Sequence, residues 1–517
     1  MTLKYAPLWL FFIAFAARWL VIALTGFDGL YGQDAFHYFD CARRVVDAWL
    51  DALRPGSCYW PLGYPVLEAL FMGLTGFAPR AAQLASTVTG AAIAPLVYWT
   101  VLESRVGHRD GQADARIPIA AGVTAALCGQ LLQSSIVIMS DAPALFWATL
   151  SAGTLLRWER HPGSERRRSL WLVGSAAALA IASVTRWIYA GLLLPFGVFV
   201  VAALCSKSAA LSSERPGSAV KRGGALFATV FFPLLLAAGT FSLIFLPQLY
   251  LNQHSASPAL SHGWVVGWSP LNAMRTSFDN PDGHFDYRVP PALFYAAPFF
   301  YPYYLSPLLT VFVLLGAWQL RHSAALLLFG GWILTLYLYL IGIPYENLRF
   351  SLAFFPPIAI LAAVGLFRSP GVATLARNDS RIIWSLFVVA LCIAVPFTYR
   401  GLSKFLAAKT REVSAMRYLQ AHVPPQAVVV TFGLSHTLKF YTNADVVDLF
   451  AQTPATLRPI VCGVRAVYFY VEKGNIESQW PGKSPATNFQ WLRDEVGLQQ
   501  IGSEQTWVLY RVRHCGP

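Results

Sequence analysis

The feature that most constrains this chain is a series of apolar runs, each about twenty residues long. At about 1.5 Å per residue, one such run crosses a hydrocarbon core of about 30 Å. Over the 517 residues 56% are hydrophobic and only 13% are charged, which excludes an ordinary soluble protein. The expected fold is a polytopic α-helical membrane protein. Eleven spans are expected: Pro7–Thr25, Ala81–Val101, Ile117–Ile138, Ala142–Leu156, Trp171–Thr185, Ile188–Leu204, Ala225–Leu246, Tyr303–Leu320, Ala324–Ile343, Phe350–Phe367 and Ile382–Thr398.

The basic residues orient these spans. Seventeen lie in the loops of one face, among them Lys4, Arg105, Arg109, the Arg166–Arg168 cluster, Lys221, Arg368 and Arg381, against eight in the short loops of the other. The richer face is cytoplasmic by the positive-inside rule, so the N-terminus is inside and the C-terminus outside. Counting Leu62–Phe77 as a further span would put the arginine clusters outside. That stretch is short and carries Glu68, so it is expected to be a re-entrant or interfacial helix. The net charge of +13 is explained by these loops and needs no nucleic-acid partner. Seven scattered cysteines without a CxxC or CxxH spacing point to neither zinc nor a redox site.

Three pieces fall outside. The first loop, Gly26–Arg80, contains an amphipathic stretch, Ala35–Leu53, suited to a helix on the membrane surface. The second, Pro247–Pro291, is rich in Pro, Asn, Ser, Gly and Trp and reads as an ordered but irregular cap. The third is a C-terminal α/β domain, residues 399–517, following a transmembrane domain of residues 1–398. Its strands are expected at Ala427–Phe432, Val446–Phe450, Ala466–Val471 and Trp507–Val512, and it carries no nucleotide-binding motif. If the last two strands pair antiparallel, Cys462 and Cys515 come near each other; Cys41 and Cys58 are a second possible pair.

Ionisable groups at the outer ends of spans are functional candidates. Asp34 follows the first span in Tyr31-Gly-Gln-Asp-Ala-Phe-His-Tyr38, Asp141 sits in Met139-Ser-Asp-Ala-Pro143, and Glu346 sits in Pro344-Tyr-Glu-Asn-Leu-Arg349. Asp34 and Asp141 each read as a catalytic acid or as a helix cap. Asp34, His37 and Asp40, at i, i+3 and i+6, read as a metal site or as a solvated face. Arg349 suits a bidentate grip on phosphate; its plainer readings are snorkelling or a pair with Glu346, and Arg186 is weighed in the same way. Arg18, inside the first span, has Glu68 as an expected partner. The catalytic candidates are thus Asp34 and Asp141, and the substrate-binding candidates are Arg349, Arg186, His37, Tyr345 and Glu346.

In order along the chain, Asp34, the segment Tyr59-Trp-Pro-Leu-Gly-Tyr-Pro65, Met139-Ser-Asp-Ala-Pro143 and Arg349-Phe-Ser-Leu-Ala-Phe-Phe-Pro-Pro357 resemble the motifs of the glycosyltransferase-C superfamily. The similarity is to the branch of protein O-mannosyltransferases and lipid A aminoarabinose transferases. The resemblance implies a polyprenyl-phosphate sugar donor, chemistry on the outer face, Asp34 as catalytic base, Asp141 in support, and Arg349 on the lipid phosphate. Two departures stand out: Ala35 where mannosyltransferases often show a second acid, and Trp60 where aminoarabinose transferases show a lysine.

The expected activity is transfer of the sugar, with inversion, to an acceptor hydroxyl of a protein, lipid or glycan. No cofactor is required by this scheme, and a divalent metal is not needed either. The expected location is the inner (plasma) membrane, with the C-terminal domain periplasmic or extracellular. The competing reading is a secondary transporter or lipid flippase with Arg18, Glu68 and Arg186 along its path; an outer domain of more than a hundred residues weighs against it.

Overall fold

The computed structural model describes residues 3–51, 58–106, 108–109, 112–160, 165–214, 231–253, 266–368 and 380–513. Eight of its helices are long and apolar enough to cross a membrane, or nine if one bent pair counts as a single span. Two further expected spans, Asp141–Arg160 and Pro307–Gln319, are also helical. The chain is a multi-pass membrane protein.

Helix α1 (Ala6–Thr25) starts with a proline in its first turn and stops at Gly26, whose φ of +64° closes the helix in the left-handed region. Two helices follow that do not meet the length and hydropathy of a span: α2 (Gly32–Leu50), amphipathic, and α3 (Gly63–Thr75), the expected re-entrant or interfacial helix. A disulfide between Cys41 and Cys58, with Cα atoms 5.9 Å apart, ties the start of the Tyr59-Trp60 segment to α2. Cys515, the other cysteine weighed for Cys462, lies outside the described residues.

After α4 (Pro79–Ser104) and a short ribbon of β1 (His108–Arg109) and β2 (Gln112–Ala113), the structure departs from expectation. The single span foreseen over Ile117–Ile138 is broken into α5 (Arg116–Leu127) and α6 (Gly129–Ile136), which meet at 53°. Cys128 is extended there, with ψ 118°, and the Tyr303 carbonyl accepts the Gln130 N–H at 3.0 Å. Arg18 explains part of this break. Its guanidinium donates to the carbonyls of Ala14 at 2.7 Å and Ala126 at 3.4 Å, the latter in the last turn of α5, where carbonyls lack helical N–H donors. It does not pair with Glu68, whose carboxylate oxygens are buried without a hydrogen-bond partner among the described residues.

The next helices are α7 (Asp141–Arg160) and α8 (Glu165–Thr185), which pack along each other, and Leu193–Glu214, which is reached through a 3₁₀ turn at Trp187–Leu192. The helix Phe232–Gln253 runs through Pro247, so the outer cap begins later than expected. The span over Leu348–Arg368 is buried on every side. Gly316 and Gly365 let the helix Pro307–Gln319 press backbone to backbone against it, since a Cβ at either glycine would collide with a carbonyl of the other helix.

The cap is not wholly irregular. It contains a hairpin, β3 (Ser277–Asn280) and β4 (Gly283–Asp286), around Pro281-Asp282. The last helix, Ser380–His422, is unbroken over 43 residues and carries the chain out of the membrane part into the C-terminal α/β region. There β5 (Val428–Thr431), β6 (Asp445–Asp448), β7 (Val467–Glu472), β8 (Leu498–Glu504) and β9 (Trp507–Val512) form one sheet in the order β6-β5-β7-β9-β8. β5 is parallel to β6 and β7, and β9 is antiparallel to both β7 and β8, so the antiparallel pairing weighed for Ala466–Val471 and Trp507–Val512 is formed.

Candidate active site

The ends of four segments converge on one point. Asp34 lies in the first turn of α2, where the helix dipole favours a carboxylate. The helix is capped at Tyr31 without a side-chain bond, so the cap reading of Asp34 is not realised. Gly32, with φ +73°, allows the sharp entry into this helix that an ordinary side chain would strain.

Asp34 meets Arg349 across 315 residues of sequence: Nη2 donates to Oδ2 at 2.6 Å, with side-chain exposures of 22% and 26%. Arg349 is presented by a 3₁₀ turn, Leu348–Phe354, whose first residues are capped by Asn347 Oδ1 accepting the Arg349 N–H at 3.2 Å. The loop before it is braced from the cap and its neighbour. Asn280 donates to the Pro344 carbonyl at 3.0 Å, and the Tyr295 hydroxyl donates to the Tyr345 carbonyl at 2.7 Å.

Beside this pair lies a second one. Arg186, extended between α8 and the next 3₁₀ turn, pairs with Asp141 at the start of α7, Nη1 to Oδ1 3.0 Å. It also reaches Ser140 Oγ at 3.4 Å, and Ser140 shares a hydrogen bond with the Tyr38 hydroxyl of α2 at 2.9 Å. Both guanidinium carbons sit near the same ring, 5.0 Å and 5.5 Å from the centroid of Phe350. Each pair leaves capacity unused. Asp141 Oδ2 and Arg349 Nε are buried with no hydrogen-bond partner among the described residues.

These groups open on a cavity of about 1150 Å³ lined by Asp34, His37, Asp141, Tyr345 and Arg349. Arg186 stands behind Asp141 rather than on the wall. Glu346 is a different case. It does not line the cavity, its N–H is taken by the Tyr287 hydroxyl at 3.1 Å, and burial pushes its carboxyl up to about 7. Arg349 pairs with Asp34 and not with Glu346, so the expected i, i+3 pair is not formed.

Sequence reasoning missed much of the remaining lining. Gln130, Gln133 and Ser134 come from α6, turned inward by the break at Cys128, and Asp282 comes from the hairpin. The signal was present as a run of polar residues inside an apolar span. The far wall belongs to the C-terminal region: His436 and Lys439 from the helix Ser435–Tyr441, Asp448, Phe450 and Trp480. The His37 and His436 rings meet edge to face, centroids 4.5 Å apart, and neither makes a hydrogen bond among the described residues. No group of three or more potential metal ligands occurs among those residues, so of the two readings of Asp34, His37 and Asp40 the metal site gains no support.

The electrostatics follow from this geometry. Burial alone would raise the Asp34 carboxyl, but Arg349, with Arg186 and His37 behind it, holds it below its ordinary value. Burial lowers His37 against the pull of Asp34, and burial with the neighbouring His37 takes His436 down to about 4. Both imidazoles are therefore mostly neutral at pH 7.

Similarity to known proteins agrees with this architecture. The family model for dolichyl-phosphate-mannose-protein mannosyltransferase matches residues 75–255. The fold is similar to ArnT from Cupriavidus metallidurans bound to undecaprenyl phosphate, with a TM-score of 0.62 at 14% identity over 98% of this chain and 97% of that one. It is also similar to the oligosaccharyltransferase AglB from Archaeoglobus fulgidus, with a TM-score of 0.54 at 13% identity over 92% of this chain and 70% of that one. No curated protein matches the chain by sequence. The chain is thus similar in fold to ArnT and AglB, and over residues 75–255 in sequence to the mannosyltransferase family model.

Proposed function

We propose that this protein is a membrane glycosyltransferase that moves a sugar from a polyprenyl-phosphate donor to an acceptor hydroxyl, with inversion, on the outer face of the membrane. The observation that carries the reading is the meeting of Asp34, Asp141, Arg186 and Arg349 at the outer ends of four segments, over one large cavity. Similarity to a family model for dolichyl-phosphate-mannose-protein mannosyltransferase and to a protein bound to undecaprenyl phosphate supports it.

In this reading the lipid chain stays in the bilayer and the phosphate reaches Arg349, whose planar guanidinium suits two phosphate oxygens. Asp34 takes the proton from the acceptor hydroxyl as its oxygen bonds to the anomeric carbon; the bond from that carbon to the phosphate oxygen breaks and its electron pair leaves with the phosphate. Arg349 and Arg186 stabilise that arriving charge, Asp141 holds Arg186 in place, and Tyr345 and His37 border the sugar. The scheme needs no metal. Because the sugar must not react with water, the C-terminal wall serves to close the cavity as well as to receive the acceptor.

The orientation goes with it: the N-terminus is cytoplasmic, and the C-terminal α/β domain, residues 399–517, lies outside the inner membrane. The test is reconstitution of the pure protein with polyprenyl-phosphate sugars. Released polyprenyl phosphate is expected; passage of the intact donor across the bilayer without cleavage would favour a flippase instead.

A further inference from the structure

The two residues given the base and phosphate roles are bonded to each other, and this fact has a consequence for how the site must work. An Asp34 carboxylate that accepts from a guanidinium at 2.6 Å is a weak base, and an Arg349 guanidinium so engaged is not free for phosphate. The neighbouring pair repeats the arrangement, with Arg186 on Asp141 at 3.0 Å. Resting on the donor reading above, we infer that the Asp34–Arg349 pair is a latch opened by the donor: the phosphate displaces Asp34 from Arg349 and thereby frees the carboxylate to act on the acceptor.

Three observations support the exchange. Arg349 has spare donors, since Nε is buried and unpartnered and Nη1 reaches only the sulfur of Met139 at 3.1 Å, a weak acceptor that a phosphate oxygen would replace with gain. Arg349 is braced through its backbone by Asn347, whereas the Asp34 side chain has no hydrogen-bond partner besides Arg349 among the described residues, so the carboxylate is the partner that can swing. The cationic groups that lower the Asp34 carboxyl are Arg349 first, then Arg186 and His37; Arg186 is paired with Asp141 and His37 is mostly neutral at pH 7, so once phosphate holds Arg349 the main restraint on the basicity of Asp34 is gone.

The charges balance over the reaction. The donor phosphodiester arrives with one negative charge. During transfer the phosphate gains a second as the anomeric bond breaks, while Asp34 loses one by taking the acceptor proton. The growing charge on phosphate strengthens its hold on Arg349 at the moment Asp34 ceases to need it. Donor binding therefore precedes productive acceptor chemistry, and the resting enzyme is poorly armed toward a hydroxyl or water in the cavity.

The test uses undecaprenyl phosphate alone, titrated against full-length protein in detergent. Asp34→Asn should bind it roughly three- to tenfold more tightly than the wild type, because a competing partner of Arg349 is gone. Arg349→Gln should bind it more weakly. Equal or weaker binding by Asp34→Asn, with Arg349→Gln still impaired, would reject the latch and leave the phosphate role of Arg349 standing. Unchanged binding in both variants would remove the phosphate role and the latch with it. If Asp34→Asn does not fold, difference infrared spectra of the wild type labelled with ¹³C-aspartate decide: the account expects a carboxylate band to shift when undecaprenyl phosphate is added, and no shift would overturn it.

Discussion

The two walls of the cavity are built on opposite plans. On the membrane side the charged groups on the site are matched, Asp34 with Arg349 and Asp141 with Arg186, and the loops that carry them are pinned by Asn347, Tyr295 and Asn280. On the side of the C-terminal domain, the imidazole of His436, which meets His37 of α2 edge to face, has no hydrogen bond among the described residues, and the exposed Lys439 has no ion-pair partner there. A matched and braced wall suits a ligand group of fixed charge and shape, which a lipid phosphate is. An unsatisfied wall keeps hydrogen-bonding capacity for a partner that supplies its own donors and acceptors. Under the proposed function, the contrast fits a donor at the first wall and an acceptor at the second.

Substitutions can break or sharpen this division. The largest effect is expected at Asp34: Asp34→Asn should lower turnover about 10²- to 10⁴-fold while the protein still binds undecaprenyl phosphate, the loss expected on removing a general base. A turnover within threefold of the parent would end the base assignment. Next comes Arg349→Lys, which keeps the charge but loses the planar fork. Donor use should fall roughly ten- to a hundredfold, and an unchanged donor titration would leave Arg349 as an interface anchor. The smallest effects belong to the far wall. Lys439→Ala or His436→Ala should raise the acceptor KM about two- to tenfold, the worth of one hydrogen bond, with undecaprenyl phosphate binding unaltered. Loss of donor binding in either variant would blur the two walls into one site.

Much of this was legible in the sequence, and the limits are physical. Most of the expected spans coincide with single helices among the described residues, since apolar length is a local property; the start of Ala225–Leu246 lies outside those residues, and Ile117–Ile138 is two helices. The Glu68 segment was placed as a helix that does not cross, because charge sidedness constrains the count. Asp34, Asp141 and Arg349 were singled out at outer span ends, and all three line one cavity.

What the sequence hid is tertiary. The bend at Cys128 depends on the Tyr303 carbonyl and on Arg18, so hydropathy alone reads Ile117–Ile138 as one straight span. The hairpin at Ser277–Asp286 was passed over although Asn280-Pro-Asp-Gly283 is a turn signal. β8 was missed because a half-exposed edge strand with Gln499, Gln500 and Ser503 has little apolar alternation. Nothing in the local sequence pairs Asp34 with Arg349, which needs α2 and the Leu348–Phe354 turn to meet, or brings His436 and Lys439 against α2, which needs the C-terminal domain to dock. It docks through Lys409, which donates to the Leu30 carbonyl at 2.6 Å and to the Tyr441 hydroxyl at 2.9 Å, while Tyr441 bonds Asp28 just ahead of the Asp34 segment.

The most direct measurement is an experimental structure of the protein with undecaprenyl phosphate. The account predicts the phosphate within hydrogen-bonding reach of Arg349 and on the Arg186 side of the cavity, with the Asp34 carboxylate turned from Arg349 toward the wall that carries His436 and Lys439. A phosphate seated on Lys439 or Arg44 instead, with the 2.6 Å Asp34–Arg349 pair intact, would contradict it.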